Sequence, residues 1–457
     1  MTETISNRSA PLLPPRPWSP LLTGAEAEPA RAAVDAIAAE LAAHPANPDP
    51  ANPDGDEAEA PGSARDLSLA GGQAGLALFF SYLDAARPGE GHDETAMSFL
   101  ERAIAGTAEL PASAGLYSGF AGVAWVLEHL TGRLFDPDGE DPGDEIAGVL
   151  REHLGRSPWR GDYDVISGLV GFGVYALERL PRPGGRECLA ETVARLAETA
   201  ERRPVGISWY SAPELIGPFQ RETYPEGYYN LGVAHGVPGV IGFLGDAAAG
   251  LPAAAADEAR RLLGGAVDWV LSERLPAGAA SLFPYNVAAG MEPHASRLAW
   301  CYGDLGIAAA LLAAARAAGE PAWEAEALAI ARHAAGRPLE GAGVVDAGLC
   351  HGAAGVAHLF NCLYQASGDE ALGAAARAWF GRALALRQPG EGIGGFRAWL
   401  PLSADRTGEL GWRADPGFLT GSAGIALALL AATTPIAPDW DRVLLTAIRG
   451  ARRQEPG

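Results

Sequence analysis

The segments CYGDLGIAAALLAAA (residues 301–315) and CHGAAGVAHLFNCLY (residues 350–364) share one layout: a cysteine, a second polar side chain, then G-x-x-G and an apolar run. The same opening recurs seven times, with first glycines Gly72, Gly119, Gly168, Gly236, Gly303, Gly352 and Gly421. The second glycines are Gly75, Gly122, Gly171, Gly239, Gly306, Gly355 and Gly424. Copies stand 47 to 69 residues apart, which marks an array of repeated supersecondary units.

Each run, such as GLALFFSYL or GVAWVLEHL, is apolar on nearly every side and reads as a helix buried all round. Amphipathic segments lie between the runs, for example around 26–43, 186–202, 255–272, 322–336 and 370–387. Seven fully apolar helices are buried most economically as an inner ring, with the amphipathic ones around them keeping one wet face each. The expected fold is therefore all-α: an α/α toroid, or double helical barrel, of seven inner and seven outer helices. Glycine at each inner-helix start suits ends that converge near the axis, where a missing Cβ permits close backbone approach. Three longer connections, 203–231, 274–300 and 388–417, carry VGISWY, SLFPYN and FRAWLPL and predict short β-containing insertions. Residues 1–65 read as an N-terminal extension holding the first outer helix and, from His44 to Arg65, a flexible acidic loop; residues 66–457 read as the toroid domain.

Composition narrows the function. Hydrophobic content of 48% with 20% charged residues fits a soluble globular chain. The formal charge of -22 argues against a nucleic-acid surface or an anionic membrane as partner. All 34 basic residues are arginine, so chemistry that needs a lysine Schiff base or a phosphate-binding lysine is excluded. The stretch from Met1 through Pro11, Pro14, Pro15 and Pro17 lacks the form of a signal peptide, and no run reaches the roughly 18 apolar residues of a membrane span. These features predict a cytoplasmic protein. Cys188, Cys301, Cys350 and Cys362 are too sparse for a disulfide framework.

Aligning the copies on the first glycine exposes the chemistry. Immediately before it stand Gly71, Ser118, Ser167, His235, Tyr302, His351 and Thr420; one residue earlier come Ala70, Tyr117, Ile166, Ala234, Cys301, Cys350 and Leu419. In a ring these slots share one end and face one mouth. Cys301 and Cys350 occupy equivalent positions in adjacent copies and His351 follows directly, so two thiolates and an imidazole converge as a three-ligand set suited to one Zn²⁺ with an open fourth position. Cys188 and Cys362, away from the slot, read as core. His235 takes the His351 slot in another copy and reads as a general acid or base. Asp164 stands one helical turn before its repeat and is placed to orient His235 or hold it protonated; Asp162 is an alternative for the role.

Together SRLAWCYGDLG, GLCHGAAG, NLGVAHGVPG and DYDVISGLVG resemble the lanthionine synthetase C family across residues 66 to 433. The resemblance implies a toroid with one zinc ion on Cys301, Cys350 and His351, and a peptide cysteine as fourth ligand. It further implies that His235 handles protons, that Asp164 pairs with it or with Arg297, and that Tyr302 lies beside the metal. The implied reaction is addition of cysteine thiols to dehydroalanine or dehydrobutyrine in a dehydrated precursor peptide, giving (methyl)lanthionine thioether rings. A free thiol ionises near pH ~8.5, whereas coordination deprotonates it outright. No dehydration module fits beside the toroid, so a separate dehydratase, and a transporter after it, are the expected partners of a stand-alone cyclase.

Two rival readings remain. A helical-toroid glycosidase or terpenoid cyclase needs paired carboxylates or Asp-rich motifs at the mouth, where this chain has cysteine and histidine. A non-catalytic, zinc-bearing scaffold for thiol molecules such as glutathione would hold the metal equally well and would have no activity to lose with His235.

Overall fold

The computed structural model describes residues 12, 14, 16–43, 64–109, 113–136, 141, 143–402 and 408–448. Its helices in chain order are α1 (Glu28–Ala42), α2 (Ala64–Leu67), α3 (Gln73–Ala86), α4 (His92–Glu109), α5 (Phe120–Leu130), α6 (Asp144–Leu154), α7 (Leu169–Glu178), α8 (Gly185–Thr199), α9 (Pro218–Thr223), α10 (Val237–Gly250), α11 (Ala253–Ser272), α12 (Asp304–Ala318), α13 (Pro321–Ala335), α14 (Ala353–Ser367), α15 (Glu370–Ala385) and α16 (Ser422–Thr433).

The repeat glycines cap the seven inner helices α3, α5, α7, α10, α12, α14 and α16. Their apolar runs leave no wet face: in α5 every residue from Ala121 to Leu130 is buried. Each inner helix touches the next in chain order, and α16 returns to α3, so the ring closes. The outer helices show the opposite pattern. α4 buries Ala96, Phe99, Leu100 and Ala103, one stripe at helical spacing. It lies on α3, as α8 lies on α7, α11 on α10, α13 on α12, α15 on α14 and α1 on α16; α6 packs beside α8. The toroid of seven inner and seven outer helices is thus present as expected.

The loops before the inner helices form a second ring. Backbone N–H groups donate from Ala70 to Tyr117 (2.9 Å), Tyr117 to Ile166 (3.3 Å), Val165 to Ala234 (3.2 Å), Ala234 to Cys301 (3.4 Å), Cys301 to Cys350 (3.3 Å), Cys350 to Leu419 (2.8 Å) and Leu419 to Ala70 (2.9 Å). All seven repeat interfaces are stitched this way, by the residue two before the first glycine or its neighbour. Buried backbone groups that found no helix partner are satisfied across the ring.

Short antiparallel strands fall in the long connections. β1 (Glu201–Arg202) pairs with β2 (Ile207–Ser208); β3 (Tyr210–Ser211), β4 (Tyr228–Asn230) and β5 (Asn286–Val287) form a sheet in that order; β6 (Ala398–Pro401) pairs with β7 (Leu410–Arg413). Tyr229 sits opposite both Tyr210 and Val287, which joins the first two connections beside the mouth. The end opposite the mouth is filled by residues 439–448. Trp440, Val443 and Leu444 are buried there, Tyr117 Oη donates to Val443 O (3.0 Å), and Trp300 Nε1 donates to Leu444 O (2.8 Å). Arg133 reaches Asp439 (2.6 Å) and Arg442 reaches Glu178 (3.4 Å).

Of the expected acidic loop, residues 44–63 lie outside the described residues, and Ala64 already opens α2. Among the described residues no helix is long and apolar enough to cross a membrane.

Candidate functional site

Three mouth loops are shaped by the side chain six residues before the first glycine. Asp346 Oδ1 accepts from Gly348 N (3.2 Å), Asp415 Oδ1 from Gly417 N (2.8 Å) and Asn230 Oδ1 from Gly232 N (2.8 Å). These Asx turns fold the loop so that the following slot residues stand at the mouth. β4 delivers Asn230 into this position, and Arg297 occupies the same register in its own repeat.

Cys301, Cys350 and His351 come together as the slot alignment predicts: their ligand atoms all lie within 4.8 Å of one another. The circle of backbone bonds does this, since Cys301 N–H and Trp300 N–H both donate to Cys350 O. Cys301 is buried, and Cys350 and His351 are partly exposed toward the mouth. A hydrogen bond from the Cys350 thiol holds Cys301 well below the usual thiol range against the effect of burial, with the His351 and Arg297 charges adding to it. Cys350 moves up in consequence, first because its thiol proton is held in the bond to Cys301, then because burial and the Cys301 charge oppose a second thiolate. Burial works to lower the His351 pKa, but the bond and charge of Cys301, then the charge of Asp346, raise it overall. Two sulfurs and one imidazole at this spacing are a borderline-soft donor set that suits Zn²⁺.

His235 and Asp164 also meet: Nδ1 lies 2.5 Å from Asp164 Oδ2. Asp164 is 7% exposed and its other oxygen accepts from Ser167 N (2.8 Å), so the carboxylate is fixed in place. Burial works to lower the His235 pKa, yet the bond and charge of Asp164, with further help from Cys301 and Asp162, raise it overall. The geometry settles the partner of His235 as Asp164. Asp162 acts on it only through its field, and its own carboxyl is pushed up to about 6, by burial first and by the Asp164 charge second.

Arg297 does not pair with Asp164. Its backbone N and Nε lie 3.0 and 3.3 Å from Tyr285 Oη, and its charge acts on both cysteines. Tyr302 Oη accepts from Asn230 Nδ2 (3.0 Å), its ring meets Tyr285 edge-on at 5.2 Å, and burial keeps its phenol protonated. Tyr302 also borders a recess of about 360 Å³ shared with Tyr224, Tyr228, Tyr285, Met291 and His294.

The slot comparison missed Asp346 and Asn230, which stand farther upstream than the two columns it used. Extending the alignment six residues before the glycine reads Asp66, Ser113, Asp162, Asn230, Arg297, Asp346 and Asp415, a mostly Asx column that was there to be found.

A closed α/α ring that carries a thiol–imidazole cluster able to hold a metal ion and a carboxylate-backed histidine at one mouth defines the class. The family described as lanthionine synthetase C-like protein matches residues 63–445, and the chain belongs to that family. A solved structure titled "Nisin cyclase" superimposes with a TM-score of 0.66 at 21% identity, covering 84% of this chain and 93% of that one, and so shares the fold. No curated protein matches the chain.

Proposed function

We propose that this protein is a zinc-dependent lanthipeptide cyclase, which joins cysteine thiols to dehydroalanine or dehydrobutyrine in a dehydrated precursor peptide. The observation that carries the reading is the placement of Cys301, Cys350 and His351 beside the His235–Asp164 pair at a single mouth. Family membership and the fold shared with a structure titled as a cyclase support it.

Cys301, Cys350 and His351 would hold one zinc ion, whose bound state supplies the Lewis acidity that keeps a peptide thiol ionised near neutral pH. The remaining work belongs to the chain. As the new S–Cβ bond forms, the Cβ–Cα π electrons move toward the adjacent carbonyl and Cα needs a proton. His235, held protonated by Asp164, donates it and is recharged from solvent; the thiol proton leaves to solvent, so the addition is balanced. Arg297 keeps positive charge near the sulfurs. Tyr302, pinned by Asn230, walls the recess in which the peptide would lie. The enzyme would act in the cytoplasm after a separate dehydratase and before a transporter.

The test is to incubate protein and zinc with a dehydrated peptide bearing cysteines and count the alkylatable thiols by mass spectrometry. Loss of one thiol per ring supports the proposal. Full alkylation after prolonged incubation with zinc-loaded, folded protein refutes it.

A further inference from the structure

We propose a second metal centre, formed by His358, Cys362 and Asp441 in the toroid interior, that takes a structural zinc ion and staples the C-terminal segment to α14. It lies apart from the mouth and does not depend on the proposed cyclase activity. His358 and Cys362 stand one helical turn apart on α14, and Asp441 comes from the segment that fills the far end of the ring.

The three donor atoms form a compact triangle: His358 Nε2 to Asp441 Oδ2 is 3.2 Å, Cys362 Sγ to His358 Nε2 is 3.4 Å, and Cys362 Sγ to Asp441 Oδ2 is 3.4 Å. A tetrahedral zinc ion with Zn–N and Zn–O near ~2.0 Å and Zn–S near ~2.3 Å separates such donors by about 3.3–3.5 Å. Hydrogen bonding accounts for the triangle less well. With Asp441 ionised, the protons on Nε2 and Sγ can serve two of its edges, whereas one cation serves all three.

The surroundings fit a closed structural site. His358, Cys362 and Asp441 are 1%, 4% and 0% exposed. The His358 ring stacks on Trp440 at 4.6 Å and meets Trp18 at 6.3 Å, so the imidazole is covered from bulk solvent. His358 Nδ1 is buried with no hydrogen-bond partner; the ring's orientation is therefore set by Trp440 and by what Nε2 meets. A cavity of about 10 Å³, lined by Cys362 but by neither His358 nor Asp441, has room for about one water.

Metal content of the full-length chain tests this, by mass spectrometry of protein loaded with zinc and desalted. Wild type should carry two zinc ions. Cys301→Ala combined with Cys350→Ala should keep one, and adding Cys362→Ser to that pair should leave none. Cobalt loaded into the Cys301→Ala/Cys350→Ala protein should show a near-ultraviolet thiolate-to-metal band that Cys362→Ser abolishes. If the double variant fails to fold by circular dichroism, Cys362→Ser alone decides, with two ions falling to one. Retention of no metal by the folded double variant, or an unchanged count in Cys362→Ser, overturns the proposal. One ion in both wild type and double variant would support this site and remove the mouth site instead, so the two readings fail separately.

Discussion

In the proposed reaction His235 can donate a proton only while it carries one, and Asp164, 2.5 Å away, is the group that favours its charged form. Because the His235 pKa is raised, kcat/KM for cyclisation should hold at low pH and fall as pH rises through that value. Asp164→Asn removes the stabilising charge, so the alkaline limb should move to lower pH while bound zinc stays constant. His235→Ala should lower the rate by about 10²–10⁴-fold, the usual span for a lost general acid, again with zinc retained; a histidine that is merely structural would move neither the pH limb nor the rate at constant metal content. Asp162 gives a stability test of opposite sense. Its carboxyl holds its proton up to about 6 in the fold against 3.8 for an ordinary aspartate, so ionising it weighs against folding, increasingly as pH rises from about 3.8 to 6. Asp162→Asn should therefore stabilise the protein above pH 6, by on the order of 1 kcal/mol after allowing for partial exposure, and leave it unchanged near pH 3.5; urea unfolding at the two pH values checks it. That Cys301, Cys350 and His351 converge, and that His235 stands at the same mouth, was legible in the sequence because equivalent slots in a ring must share a mouth. The choice between Asp162 and Asp164 was not, since they stand six and four residues before Gly168 and only the folded loop aims one of them at the imidazole.

At the scale of elements, the inner helices were legible and part of the outer layer was not. The reason is visible in α4, which buries four of its 18 residues and so shows a thin apolar stripe beside the unbroken run of an inner helix; α6 is likewise short and charged. The repeat glycines permit close approach near the axis, and the contacts specify what is approached. At Gly303, with φ +101, an added Cβ would lie 1.9 Å from Arg297 O, the start of its own loop. At Gly424 it would lie 1.9 Å from Phe418 O and 2.8 Å from the Leu349 side chain of the preceding repeat. Gly303→Ala should thus destabilise by about 1–3 kcal/mol from backbone conformation alone, more with the clash, and should weaken zinc retention because the same loop carries Cys301. Gly264, in outer helix α11, has nothing within 4 Å of an added Cβ, so Gly264→Ala should instead stabilise by about 0.5–1 kcal/mol. Chemical denaturation of both variants against wild type separates the two roles of glycine.

At the scale of the whole molecule, the toroid is a filled vessel rather than a pore. The mouth loops reach down as well as up: Tyr117 and Trp300, neighbours at 5.8 Å, donate to the backbone of Val443 and Leu444 from beneath the mouth. The C-terminal segment therefore props the site from the far end, a relation no local pattern in the sequence displays, because Trp300 and Leu444 are 144 residues apart. Trp440, 1% exposed, anchors that segment against His358 and Phe418. Trp440→Ala should cost about 3–5 kcal/mol through the cavity it leaves, seen as a lower urea midpoint, while zinc at the mouth is retained because the circle of backbone bonds is untouched. Removing residues 439–457 is a different perturbation. It strands the buried Tyr117 hydroxyl and Trp300 indole N–H, each at about 1–3 kcal/mol for a lost partner, and opens the lumen under Cys301. The truncated chain should accordingly lose mouth zinc as well as stability, read as metal content and thermal midpoint on one preparation; a truncation that unfolds no earlier and keeps its full metal would show that the segment is not a prop.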